Sequence, residues 1–246
     1  MNEQEILDYF DDINIIKENS KTLLHLKPIA NKEMPFIIHH PFISQNPAPF
    51  IDENGTLKFI DIFKNKKEFN ALINQLETNI DMANSFEDIL SMINMPYQLL
   101  FFKINNNYIS KESYNNCLKD IWCNTEFPNA DVNVSTDESL MMFKNSKKKL
   151  IMNKAELLKL KSLPDEVTIY RGTHKKNNFK ALSWTDDYQS ALWFARRFND
   201  NGYVLQATIK KENIIAFFNN RNEKELIVDF NKIYNLKNEK IIDIRI

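Results

Sequence analysis

Three short patterns in the last third of this 246-residue chain carry side chains that could do chemistry together. The first is Tyr170-Arg171-Gly172-Thr173, the second Ser183-Trp184-Thr185, and the third Glu223-Lys224-Glu225 running into Leu226-Ile227-Val228. Arginine is a planar, permanently charged fork whose donors match a phosphate. A glycine beside it would let a ligand approach the backbone closely. A serine hydroxyl can orient a second polar side chain. Two carboxylates spaced i, i+2 share one face if the segment is extended. Converging on one pocket, they can divide the labour: one supports a developing sugar cation, the other takes a nucleophile's proton. Singly, each is ordinary: an arginine in a surface salt bridge, a serine at a helix entry, glutamates in a solvated turn. Their fixed order along the chain is what joins them.

The elements that must position these residues follow from periodicity. Glu166 to Thr173 alternates as a strand, with Val167, Ile169 and Arg171 on one side, and Ala181 to Thr185 is short and extended. Asp186 to Phe198 reads as an amphipathic helix: Thr185 can cap it, Asp186 and Asp187 suit its positive end, and Arg196 and Arg197 suit the other. Ala191, Leu192, Ala195 and Phe198 form its buried stripe. Tyr203 to Ile209, Asn213 to Phe218, Glu225 to Phe230 and Lys240 to Ile246 read as strands. Before Pro164 the pattern is helical: Glu68 to Ile80, Ser85 to Ile93 (ended by Pro96), Ser110 to Cys123, Thr136 to Lys144 and Asn153 to Leu160. Residues 1–30 read as a helix or two, and 34–62 as extended or loop. Leu99 to Ile104 is an apolar run of either type, and Asn124 to Ser135 is a turn-rich loop. Helices come first and strands last, an α+β arrangement. Residues 1–105 form a mainly helical region, and 106–246 a second domain with helices over 106–162 and a β core over 165–246.

The constellation Arg171, Ser183 to Thr185, and Glu223 with Glu225 resembles the Arg-Ser-Glu class of ADP-ribosyltransferases, the group with many bacterial toxins and arginine-modifying enzymes. Leu182 to Thr185 followed by Ala191 to Phe198, and Ile214 to Glu225, are similar to phage and prophage members; Trp122 to Ser135 is more loosely similar to a segment upstream in them. The resemblance implies a compact core of two packed, mainly antiparallel sheets, with NAD as the substrate and no metal. It implies that Arg171 holds the NAD pyrophosphate, with Gly172, Thr173, Ser183, Trp184, Thr185 and Phe194 around the dinucleotide. Ser183 would position Glu225. Glu225 would bond the ribose hydroxyl next to the nicotinamide and stabilise an oxocarbenium-like state. Glu223 would orient or deprotonate the nucleophile; in the family a glutamate at that first position accompanies arginine as acceptor. The implied activity is mono-ADP-ribosylation of a protein, arginine favoured. NAD hydrolysis by the same residues, and a non-catalytic interaction role on the same fold, are the alternatives. The chain departs from the family at Trp184, where a small threonine is usual; the indole could stack on nicotinamide or fill the core. No extended loop of the toxin type separates Ser183 from Glu223, so recognition of the target must come from elsewhere.

A net charge of -1 and a pI near 6.5 argue against bulk electrostatic binding of nucleic acid as the main activity. Cys117 and Cys123 read as buried apolar residues of a reduced protein. No apolar run approaches the roughly 20 residues of a membrane helix, and Met1 to Phe10 is polar and acidic, unlike a signal peptide. The expectation is a cytoplasmic protein, in the host cytoplasm if phage-encoded, with a host macromolecule as acceptor and no membrane partner. His39-His40 lacks a third ligand at a sensible spacing for a metal. Trp122 reads as core, with the Thr125-Glu126 loop bordering the cofactor cleft as the sharper reading. With only 3 glycines in the chain, each invites a reason: Gly55 and Gly202 sit in turn signals, and Gly172 sits beside Arg171.

Overall fold

The computed structural model describes residues 9–197 and 202–241. The fold is α+β, with the helices concentrated in the N-terminal half and antiparallel strands in the C-terminal half. The chain divides into two compact units, Met1–Thr125 and Glu126–Ile246. Helix 111–124, grouped above with the second domain, therefore belongs to the first unit.

The first unit contains helices α1 (Ile13–Leu24), α2 (Lys66–Met82), α3 (Phe86–Leu90), α4 (Met95–Asn105) and α5 (Lys111–Asn124). It also has two small hairpins, β1 (Ile29–Ala30) with β2 (Ile38–His39) and β3 (Ala48–Ile51) with β4 (Leu57–Ile60). Pro96 lies in the first turn of α4 rather than ending a helix: the missing N–H is one that a helix start leaves unpaired anyway. The apolar run Leu99 to Ile104 is the interior of that helix. Its rings build the core, with Phe86 stacked on Phe101 at 4.9 Å and edge-on to Phe102 at 6.2 Å. Asp11 ties the unit together, its carboxylate accepting from Phe86 N (3.1 Å) and Ser110 N (2.7 Å). Buried His40 is a second tie. Its Nδ1 accepts from Phe42 N and Ile43 N, so its Nε2–H donates to the Leu24 carbonyl at 3.1 Å. Burial pushes its pKa below the ordinary histidine value.

The second unit opens with α6 (Thr136–Asn145), α7 (Lys148–Ile151) and α8 (Lys154–Ser162). Ser135 with Glu138, and Asn153 with Glu156, form reciprocal capping boxes at the starts of α6 and α8. The strands follow: β5 (Glu166–Thr173), β6 (Ser183–Thr185), β7 (Tyr203–Lys210), β8 (Ile214–Phe218), β9 (Glu225–Val228) and β10 (Tyr234–Lys240), with α9 (Tyr188–Arg196) after β6. They join in the order β10-β7-β5-β6-β9-β8, every pairing antiparallel. Only Tyr170 and Thr185 pair across β5 and β6, so the sheet is two three-stranded halves meeting at one seam. The alternating C-terminal segment contributes Lys240 to the end of β10, and 242–246 lie outside the described residues.

Helix α9 lies over β5 and β7. The residue capping it is Asp187, whose carboxylate accepts from Gln189 N, while Thr185 Oγ1 accepts from Asp187 N one step earlier. Ala191 and Ala195 are fully buried against Val204 and Ile241; Phe198 lies outside the described residues. Two glycines make the approach possible. A Cβ on Gly172 would stand 2.0 Å from the Ala191 carbonyl oxygen, and one on Gly202 would stand 2.0 Å from that of Ala195. The space beside Gly172 is thus taken by the helix backbone, not left for a ligand.

Candidate active site

The strand order brings the three sequence patterns side by side, because β5, β6 and β9 are consecutive in the sheet although β7 and β8 intervene in the chain. Tyr170 pairs with Thr185, and Thr185 pairs with Glu225, giving one cross-strand row through all three strands. Arg171 lies one residue beyond that row. The alternation that buries Val167 and Ile169 turns it to the inner side of β5, away from Gly172 and the covering helix.

The Arg171 guanidinium donates from Nη1 to the main-chain carbonyl of Ser183 at 2.7 Å. Its Nε is shielded from solvent and, among the described residues, has no hydrogen-bond partner. Burial pulls its pKa down to about 10, and the nearby Glu225 carboxylate opposes that shift by favouring the charged form. Arg171 and Glu225 are therefore electrostatic neighbours at the seam.

Ser183 is held from a direction the sequence did not suggest. Asn129, in a 3-10 turn at Pro128–Ala130, donates from Nδ2 to Ser183 Oγ at 2.7 Å. Its Oδ1 accepts from Leu182 N, also at 2.7 Å. Nothing in Phe127-Pro128-Asn129-Ala130 marks that asparagine apart from any other turn residue.

The remaining residues take varied places. Trp184 is only 2 % exposed, its indole N–H donates to the Ala181 carbonyl at 2.9 Å, and its ring stacks against Phe179. Of the two roles open to it, the structure assigns core filling. Thr173 Oγ1 accepts from Lys175 N and stabilises the turn after β5. Phe194 is half-buried on α9, edge-on to exposed Trp193, with its Cβ carbon facing Gly172. Glu223 and Glu225 do not share one extended face. Glu223 closes the 3-10 turn Asn220–Asn222 with φ -78°, Lys224 adopts φ 50°, and only then does β9 begin. The turn reorients the backbone between the two carboxylates, which extended geometry could not anticipate.

A cleft of about 820 Å³ lies among Asn153, which caps α8, Glu156 of α8, Tyr170, the Asp186–Asp187 turn, Asn219 and Lys224. Its volume falls in the range of ligand sites. Arg171, Ser183 and Glu225 do not line it, but their chain neighbours Tyr170 and Lys224 do. Lys159 pairs with Asp186 and Lys224 with Asp187, each at 2.6 Å. The Lys224 ammonium holds the Asp187 carboxyl below the usual carboxylate range and is itself pushed up.

The chain matches no protein-family model, no curated protein and no solved structure.

Other candidates resolve into structural roles. Among the described residues no group of three or more His, Cys, Asp or Glu could hold a metal ion. His40 is spent on backbone groups, as above. Cys117 and Cys123 form no disulfide; burial pushes the Cys117 thiol up, and Glu87 beside it adds to that, which suppresses its thiolate chemistry. Trp122 is a core residue, and the Thr125 hydroxyl bonds back to the Ile121 carbonyl. Within the second unit, Glu126 pairs with Arg197 at 3.3 Å. No helix among the described residues is long and apolar enough to cross a membrane.

Proposed function

We propose that the second unit is a mono-ADP-ribosyltransferase that takes NAD, releases nicotinamide and transfers ADP-ribose to a protein acceptor, an arginine side chain being favoured. The observation carrying this reading is the adjacency of β5, β6 and β9, which sets the half-buried Arg171 guanidinium and a carboxylate beside one seam. Arg171 then pairs with the pyrophosphate. The Glu225 carboxylate bonds the ribose hydroxyl next to the nicotinamide. As the C–N glycosidic bond breaks, its electron pair leaves with nicotinamide and Glu225 stabilises the positive charge left on the sugar. An acceptor nitrogen attacks that carbon and loses its proton to Glu223.

The test is incubation of the full chain with NAD and a cell lysate, followed by mass spectrometry for ADP-ribose fragments. Modification by the unsubstituted chain that disappears with Glu225→Gln supports the reading; equal modification by both refutes it. The short β8–β9 connection, Asn219 to Lys224, favours one second reading, because it offers little surface for a protein target. In that reading water takes the sugar. Rapid nicotinamide release from NAD alone, without any target, is its signature.

A further inference from the structure

We propose that Asn129 is the positioning residue of this site: it sets the Ser183 main chain, and through it the orientation of the Arg171 guanidinium. The inference rests on the transferase reading only for what Arg171 binds, not for what Asn129 does.

The argument begins with the shape of a side-chain amide. One planar group offers a donor and an acceptor in fixed geometry. Asn129 uses both at once on consecutive residues, accepting from Leu182 N and donating to Ser183 Oγ, each at 2.7 Å. The Leu182 N–H can only donate, so the oxygen of the amide must face it, and the two roles are unambiguous. On its other side the Leu182 carbonyl accepts from Val228 N of β9 at 3.0 Å. Leu182, the residue that leads into Ser183, is thereby clamped between Asn129 at its N–H and β9 at its carbonyl.

The Ser183 carbonyl is the acceptor for Arg171 Nη1. Nε has no partner among the described residues, so that carbonyl is one fixed anchor of the fork, beside the charge of Glu225. Strand β6 is held by β9 over all three residues but meets β5 through Thr185 alone, so on the side of the Arg171 strand the ladder does not fix Ser183. The turn that carries Asn129 is itself fixed. Ala130 N bonds to the Phe127 carbonyl, and the Asp131 carboxylate accepts from Asn133 N and Val134 N. A rigid turn, one amide, one carbonyl and one guanidinium form a continuous relay.

The experiment compares the full chain with N129A and N129Q; the glutamine keeps both amide groups but displaces them by one methylene. Melting curves establish which variants fold. Two readouts follow: the guanidinium ¹⁵N and ¹H signals of Arg171 by NMR, and the NAD dissociation constant by calorimetry. In the unsubstituted chain the Arg171 Nη1 protons should give distinct, slowly exchanging signals, reflecting restricted rotation. A folded Asn129 variant should average those signals and weaken NAD about tenfold, as losing two part-buried hydrogen bonds that hold the Arg171 acceptor implies. Averaged Nη1 signals already present in the unsubstituted chain would overturn the proposal even if no variant folds. So would a folded variant whose Arg171 signals and NAD constant stay within twofold of the parent. If the unsubstituted chain fails to bind NAD while N129A still changes the Arg171 signals, the transferase reading fails and the positioning role stands.

Discussion

Tyr170 and Thr185 form the one backbone pairing that holds the two halves of the C-terminal sheet edge to edge. Each is next to, or opposite, a charged residue of the candidate site: Arg171 follows Tyr170 in the chain, and Glu225 faces Thr185 across the ladder. Opposite charges thus meet where the sheet has least regular pairing. A seam of this kind leaves main-chain and side-chain groups free of the ladder, so they can be directed at a ligand.

Glu225→Gln removes the charge while keeping the shape. If the carboxylate acts on a developing cation, the rate should fall by at least about 100-fold, an effect on the order of 3 kcal/mol. The melting temperature and the NAD dissociation constant should change little, because the amide can still accept a hydrogen bond. Steady-state incorporation of labelled ADP-ribose, measured beside calorimetry, separates these effects. A variant that retained a tenth of the parent rate would remove Glu225 from the chemistry.

Arg171→Lys tests geometry rather than charge. Lysine keeps the positive charge but cannot reach the Ser183 carbonyl and a phosphate with one planar fork. A charge-assisted hydrogen bond contributes about 1.5–3 kcal/mol, so NAD should bind roughly 10- to 100-fold more weakly. Titration calorimetry reads this directly, and affinity undiminished in the lysine variant would argue that Arg171 does not hold the pyrophosphate.

Gly172→Ala should destabilise the second unit without touching any proposed catalytic group. The new methyl would meet the Ala191 carbonyl oxygen at 2.0 Å and the Ala195 nitrogen at 2.5 Å, both backbone atoms of α9 that cannot swing aside. Overpacking of this kind costs about 1–3 kcal/mol, which lowers the melting midpoint by several degrees. Differential scanning calorimetry gives the answer; an unchanged midpoint would mean that α9 sits less tightly on β5 than described.

These cases show what local sequence could and could not convey. The helix starts at Ser85 and Ser110 are legible because a cap and its partners lie within one turn. Pro96 is not, since the same residue ends one helix as readily as it begins another, and only packing decides. The strands carrying Arg171, Ser183 and Glu225 were legible from alternation, but their adjacency depends on β7 and β8 being placed outside them. Gly172 beside Arg171 suggests a ligand close to the backbone, but the neighbour there is the backbone of a helix, which no local signal distinguishes. The turn at Lys224 was hidden because positive φ is uncommon outside glycine and leaves no compositional trace. Asn129 was invisible for a different reason: its two partners lie more than fifty positions along the chain, beyond any periodic signal.

His40 predicts an acid-sensitive first unit. Its ring is buried and neutral, with Nδ1 committed as an acceptor to two backbone N–H groups. Protonating Nδ1 would set a donor against those donors and place a charge where water cannot reach it. Burial accordingly pulls the folded pKa below 6.5, the ordinary histidine value that the unfolded chain keeps. The unfolded state therefore binds the proton more readily, so this contribution to stability is fully present above pH 6.5 and is lost as the pH falls through the folded value. Melting curves of the full chain between pH 7.5 and 5 should shift downward on acidification. His40→Gln should be less stable than the parent at pH 7.5 yet show a shallower fall with acid. An identical pH slope in the two proteins would assign the acid sensitivity to other groups.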